Sequence, residues 1–269
     1  MIGGVELRKQ RNLGDIVSDA FTILFAAFKP LAMIVITIVI FYCAFQLALF
    51  AIDDDISKAA FDSEAFQERI DDPNYEFDVN PLSILVIVAA IPMGFILTVL
   101  TSGALVAFLN RTDRGETVDS SAALDDAQDN LGPLIGATFR VLAICILLSI
   151  TIIGIPFAIY RAVRWYFISQ VVMVEGIRGE AVLARSAELV DGKWWNTVGR
   201  LIVAGLVIQI PTGLLSSALT AAFPGVGGIL LSSLILFVTT PFGIIASSLM
   251  YFDRYMRKAP LPDADLSPA

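Results

Sequence analysis

Two long runs of this sequence, residues 31–52 and 81–109, carry no charged side chain at all. An α-helix rises about 1.5 Å per residue, so roughly 20 apolar residues cross a hydrocarbon layer about 30 Å thick, and each run is long enough to do so. Composition points the same way. The chain is 57% hydrophobic and only 16% charged, where a soluble domain carries about 25% charged residues, so the bilayer takes the place of a protein core. Extending the reading along the chain gives about six spans, at residues 31–52, 81–109, 132–155, 157–174, 197–223 and 227–252. The third and fourth share one apolar block, expected to turn at Gly154-Ile155-Pro156, and the glycine-rich stretch from Pro224 to Gly228 reads as a tight turn between the fifth and sixth. The expected fold is all-α, a polytopic transmembrane helical bundle. Residues 1–258 would form one integral membrane domain, and residues 259–269 a disordered tail.

Charge sets the expected orientation, because Lys and Arg are held on the cytoplasmic side while acids matter little to topology. With the N terminus inside, 13 of the 18 Lys and Arg residues fall on the cytoplasmic face. The loop at residues 53–80 holds ten acids and only Lys58 and Arg69, so it is expected outside, with a short helix from about Phe61 to Ile70. The chain is thus read as a multi-pass protein of the cytoplasmic membrane with both termini cytoplasmic. Asp15 and Asp19 interrupt the apolar stretch after the basic cluster at Arg8, Lys9 and Arg11, so no signal peptide is expected.

That stretch has its own pattern. Leu13, Ile16, Val17, Ala20, Phe21, Leu24 and Phe28 recur at helical spacing opposite Asp15, Ser18, Asp19 and Thr22, the signature of an amphipathic interfacial helix. Two further cytoplasmic segments share its spacing. Val17, Ala20, Leu24 and Phe28 align with Leu124, Ala127, Leu131 and Ile135, and with Leu183, Ser186, Val190 and Trp194. Three units, each a surface helix followed by two spans, would start near residues 13, 118 and 179. The alternative is that amphipathic helices before spans resemble one another for physical reasons alone.

Charges inside a membrane cost roughly 2.5 to 3.5 kcal/mol each on insertion scales, which singles out Arg140, Arg161 and Arg164. Arg140 either reaches back to the interface or binds an anionic group between helices. Arg161 and Arg164, three apart near the expected outer end of the fourth span and beside Trp165 and Tyr166, suit a lipid phosphate. The competing reading is an interfacial anchor of Arg, Trp and Tyr, and Trp165, Trp194 and Trp195 are anchor candidates on the same ground. Glu175 is a candidate to fix the inner loop by pairing with Arg178 or Arg185. Pro92, Pro156, Pro211 and Pro241 can kink helices, and Gln170 and Gln209 are the amides left within spans once no Asp or Glu is found near any span's middle.

The chain has no histidine and only two cysteines, Cys43 and Cys145, and no P-loop, nucleophile elbow, HExxH or dinucleotide fingerprint. No catalytic residue, cofactor or metal site is therefore expected; Asp53-Asp54-Asp55 lacks EF-hand spacing for Ca²⁺. Membrane lipids and other membrane proteins are the expected partners, and nucleic acid is not. Of 26 acids 18 are Asp, and only five bases are Lys, an acid bias that suits a high-salt, halophilic setting where self-repulsion is screened within about 3 Å at 1 M.

Two stretches carry a likeness: Asn12-Leu13-Gly14-Asp15-Ile16-Val17-Ser18-Asp19-Ala20-Phe21, and Arg164-Trp165 through Val174-Glu175-Gly176, Arg185-Ser186, Leu189-Val190 and Gly192-Lys193-Trp194-Trp195. Together they resemble the membrane domain attached to some glycerophosphodiester phosphodiesterases and its stand-alone prokaryotic relatives. The resemblance implies a six-helix membrane domain with cytoplasmic amphipathic segments. It implies no phosphodiesterase activity, which resides in a separate soluble barrel with His and acidic metal ligands. The resulting expectation is a non-enzymatic, lipid-associated or partner-binding scaffold, with a transporter or channel as the alternative. A polar cavity reaching the membrane's middle would favour the transporter; a dry bundle would favour the scaffold.

Overall fold

A computed structural model describes residues 2–52, 67, 80–116, 119–223 and 225–258. The acidic loop, its expected short helix and the expected tail lie almost wholly outside the described residues. Among those described, the fold is a helical bundle without strands: α1 (Leu13–Ala26), α2 (Phe28–Ile52), α3 (Pro81–Asp113), α4 (Ser120–Asp129), α5 (Leu131–Ser149), α6 (Gly154–Arg164), α7 (Ile168–Glu175), α8 (Ala181–Val190), α9 (Trp194–Ala222), α10 (Val226–Ser233) and α11 (Leu236–Lys258). Five stretches are long and apolar enough to cross a membrane: α2, α3, α5, α9, and α10 with α11 taken together. The contacts define two compact units. Unit 1 is Met1–Ile34, Val99–Val207 and Thr240–Ala269, and unit 2 is Val35–Thr98 and Ile208–Thr239.

Unit 1 begins with a locally encoded helix. Asn12 Oδ1 accepts from the Asp15 N–H at 2.8 Å and Asp15 Oδ2 accepts from the Asn12 N–H at 3.1 Å, a reciprocal capping box worth about 1 kcal/mol. Ile16, Ala20, Ile23 and Leu24 form its buried face, and Phe21 meets Phe242 of α11 with ring centroids 4.7 Å apart. The apolar stripe expected to lie against lipid is therefore largely covered by protein. The other two short helices bury equivalent positions. Ile16 and Ala20 of α1, Ala123 and Ala127 of α4, and Val182 and Ser186 of α8 are all fully buried, at the spacing by which the sequence aligns them. Each short helix runs almost directly into a long one, α1 into α2, α4 into α5 and α8 into α9.

The fourth span differs from expectation. The chain turns at residues 150–153, before Gly154-Ile155-Pro156, and returns as two short helices, α6 and α7, instead of one long one. Pro156 sits in the first turn of α6, where a missing N–H forfeits no intrahelical bond. Gly154 is needed because a Cβ there would collide with the Leu148 carbonyl. The break between α6 and α7 is held from α8: the Ser186 hydroxyl accepts from the Phe167 N–H at 3.1 Å and donates to the Arg164 carbonyl at 3.0 Å. One buried hydroxyl satisfies backbone groups on both sides of the interruption.

In unit 2, Asn80 joins two helix ends, its Nδ2 donating to the Ile52 carbonyl at 3.3 Å and its Oδ1 accepting from the Leu82 N–H at 2.9 Å. Gly94 lets α3 approach the Phe41 ring of α2, since a Cβ would lie 3.2 Å from it. The turn after α9 is tighter than the glycine run suggests. Gly225 takes a positive φ of 82°, α10 starts at Val226, and Gly228 leaves no room for a side chain against the Phe223 carbonyl.

Candidate functional site

Unit 2 holds an open cavity of about 520 Å³. Tyr42 and Gln46 of α2 line it, with Gln209, Thr212, Gly213, Ser216 and Thr220 of α9. Ile229, Ser232 and Ser233 of α10 and Leu236 and Thr239 of α11 complete most of the wall. None of the lining residues is charged. Gln46 is only 7% exposed, yet neither its amide nor that of Gln209 has a hydrogen-bond partner among the described residues, so both are left to the cavity. From Gln209 to Thr220 the α9 wall covers about 16 Å at 1.5 Å per residue, about half the thickness of a hydrocarbon core. Gln209 was legible as a polar residue within a span. Gln46 was missed, six residues from the end of the first span, and only the folded chain brings the two to one wall.

Most lining hydroxyls are oriented by their own helices. Thr212 donates to the Ile208 carbonyl at 2.6 Å, Ser232 and Ser233 to the Ile229 carbonyl at 2.9 and 2.8 Å, and Thr239 to the Ile235 carbonyl at 3.3 Å. Thr220 does the same toward Ser216 at 3.1 Å. Serine and threonine in membrane helices commonly bond back in this way, which hides the proton and leaves oxygen lone pairs outward.

The sequence-predicted charges all lie in unit 1. Glu175 Oε2 accepts from Arg185 Nε at 2.8 Å while Glu175 Oε1 accepts from the Tyr251 hydroxyl at 2.8 Å, tying α7, α8 and α11 together. Burial opposes the Arg185 charge, and its bonds to Glu188 and Glu175 more than offset that, raising its pKa. Arg178 instead donates to Asn130 Oδ1 at 3.1 Å. Arg140 is exposed on α5. Arg161 and Arg164 do not sit where the sequence suggested. Arg164 shares a cavity of about 210 Å³ with Tyr160, Asp191, Gly192, Trp194 and Trp195 at the start of α9, so it belongs with the aromatic pair expected at the inner interface. The early turn at residues 150–153 and the break after Arg164 account for the shift. The Arg164 guanidinium lies 5.6 Å from the Tyr160 centroid and bonds its hydroxyl at 3.3 Å, but its Nε is buried without a partner. Arg161 is exposed and stacks over Trp165 at 5.3 Å. Trp165 is only 7% exposed, packed within the protein where an interfacial anchor was expected, whereas Trp195 is 80% exposed and Trp194 donates to the Tyr160 carbonyl at 3.3 Å.

One charged centre escaped sequence reasoning. Asp253 of α11 is fully buried and accepts from the Arg11 N–H at 2.9 Å, Arg200 Nη1 at 2.6 Å and Arg257 Nε at 2.9 Å. Arg11, itself 2% exposed, donates to Asp19 Oδ2 at 2.8 Å and to the carbonyls of Glu6, Leu7 and Lys9. Nearby Arg254 reaches Asn196 Oδ1 at 2.7 Å. Every charge here has a partner, which makes the cluster a fastening between the N-terminal segment, α9 and α11. Among the described residues no three His, Cys, Asp or Glu side chains gather as a metal site.

These features define an all-α, multi-pass membrane protein with a polar, uncharged cavity in one unit and a charge-fastened helical assembly in the other. Compared with family models, curated proteins and solved structures, the chain matches none.

Proposed function

We propose that this is a non-enzymatic, multi-pass protein of the cytoplasmic membrane, with both termini in the cytoplasm, that carries or conducts a small uncharged solute through unit 2. The observation behind this reading is the cavity, in which polar groups gather on helices long enough to cross a bilayer and two amides are left without protein partners. Polar groups facing hydrocarbon are costly, so a wall of them is retained where water or a solute meets it. A scaffold needs no such wall, and on this ground we favour passage of a solute over scaffolding. That the protein is not an enzyme is inferred from the absence of His and of nucleophile and nucleotide motifs in the sequence.

The test is solute-driven swelling of proteoliposomes holding the full chain in high salt. Faster entry of at least one small uncharged solute than in empty vesicles, reduced by Ser216→Trp in the middle of the α9 wall, is the expected result. Entry no faster than in empty vesicles, or unaffected by Ser216→Trp, would reject it.

A second reading, association with anionic lipid, has its own support in the Arg164 guanidinium, whose buried Nε lacks a partner beside Trp194 and Trp195. Replacing Arg161 and Arg164 together by Gln should lower the anionic lipid that co-purifies with the protein; unchanged lipid content would remove this reading.

A further inference from the structure

We infer that the unit 2 cavity selects small, uncharged, polyhydroxylated solutes over ions and over solutes that only accept hydrogen bonds. This rests on reading the cavity as a solute site and adds the chemistry of its occupant. The selectivity follows from counting which hydrogen-bonding groups remain free. Thr212, Thr220, Ser232, Ser233 and Thr239 have committed their protons to carbonyls of their own helices, so toward the cavity these five oxygens can only accept. A solute must therefore bring donors. The Gln46 and Gln209 amides and the Tyr42 and Ser216 hydroxyls have no protein partner among the described residues and can give protons as well as take them, so the same solute must also carry acceptors. Hydroxyl groups, each donor and acceptor at once, meet both requirements.

Ions meet neither. No charged residue lines the cavity, so an ion entering it would give up hydration without a countercharge, a loss far larger than that of a neutral hydroxyl. A solute with acceptors alone would offer the five committed oxygens no donor and would displace the water that otherwise pairs with them. The volume, about 520 Å³, is within the range of small-molecule pockets and leaves room for a compact polyol with accompanying water.

The experiment is saturation-transfer difference NMR on the full chain in lipid nanodiscs in high salt, with glycerol and dimethyl sulfoxide as probes of similar size, one rich in donors and the other acceptor-only. A glycerol signal at least about fivefold above that of dimethyl sulfoxide is expected, lost in Thr212→Val with Thr239→Val. Those hydroxyls bond only within their own helices, so the variant should keep the wild-type unfolding temperature; should it not, Gln46→Leu serves as the second variant with the same expectation. Equal signals from the two probes, no glycerol signal, or a glycerol signal indifferent to the variants would overturn the inference. Binding and passage fail separately. Glycerol bound but not moved would reject transport and leave the site standing, whereas solutes moved without glycerol preference would reject the selectivity and leave transport standing.

Discussion

At the scale of single residues, the charges divide by whether the fold has supplied a partner. Asp253 is fully buried and holds three donors, so Asp253→Ala would leave Arg200 and the Arg11 N–H without their acceptor. Breaking a buried pair from one side typically costs about 3 to 5 kcal/mol, and the expected outcome is a large drop in the unfolding temperature in detergent, followed by tryptophan fluorescence. Arg140→Gln, on an exposed residue, should shift the same temperature little. The two clusters differ in how far the sequence reveals them. Glu175 and Arg185 are ten residues apart across one turn, and their pairing can be proposed from proximity. The Asp253 partners Arg200 and Arg11 are 53 and 242 residues away, and no local pattern links them. Gln46 is similar: its role depends on helices that meet only after folding.

At the scale of elements, the long helices and the first short one follow from local rules. Apolar length gives α2, α3 and α9, and α1 is announced by Asn12 and Asp15 at capping-box spacing and by its 3.6-residue periodicity. The divided fourth span has no such announcement, because its break is fixed by Ser186 from another helix. Ser186→Ala would strand the Phe167 N–H and the Arg164 carbonyl in a buried place, at about 1 to 3 kcal/mol. The expected result is a lower unfolding temperature together with faster amide exchange at residues 165–167, and exchange unchanged there would argue that the break is intrinsic to α6 and α7. Gly154→Ala addresses the turn itself. A methyl group driven toward the Leu148 carbonyl should destabilise by about 1 to 3 kcal/mol, while Gly136→Ala, with open space around it, should not.

At the scale of the whole molecule, two consequences of charge meet. The net charge of −8 with 18 Asp among 26 acids implies self-repulsion that salt screens over a distance that shortens as the salt is concentrated, and a high-salt setting is proposed on that ground. Dilution from about 3 M to about 0.1 M salt, where the Debye length grows to about 10 Å, should lower the unfolding temperature read from Trp165, Trp194 and Trp195, all three in unit 1; indifference to salt would remove the halophilic reading. Orientation follows from the opposite sign. Arg8, Arg111, Arg185 and Arg200 form ion pairs in unit 1, but topology is set during insertion by where Lys and Arg lie along the chain, whatever they later pair with. The loop at residues 53–80 has two such residues, against 13 in the segments assigned to the cytoplasm, so it should be the one translocated. A reporter fused after Asp72 should therefore behave as external and one after Arg257 as internal. Both reporters on one side would require an odd change in the number of crossings between them, and the divided pair α6 and α7 is where that change would fall, because neither helix alone is long enough to span about 30 Å.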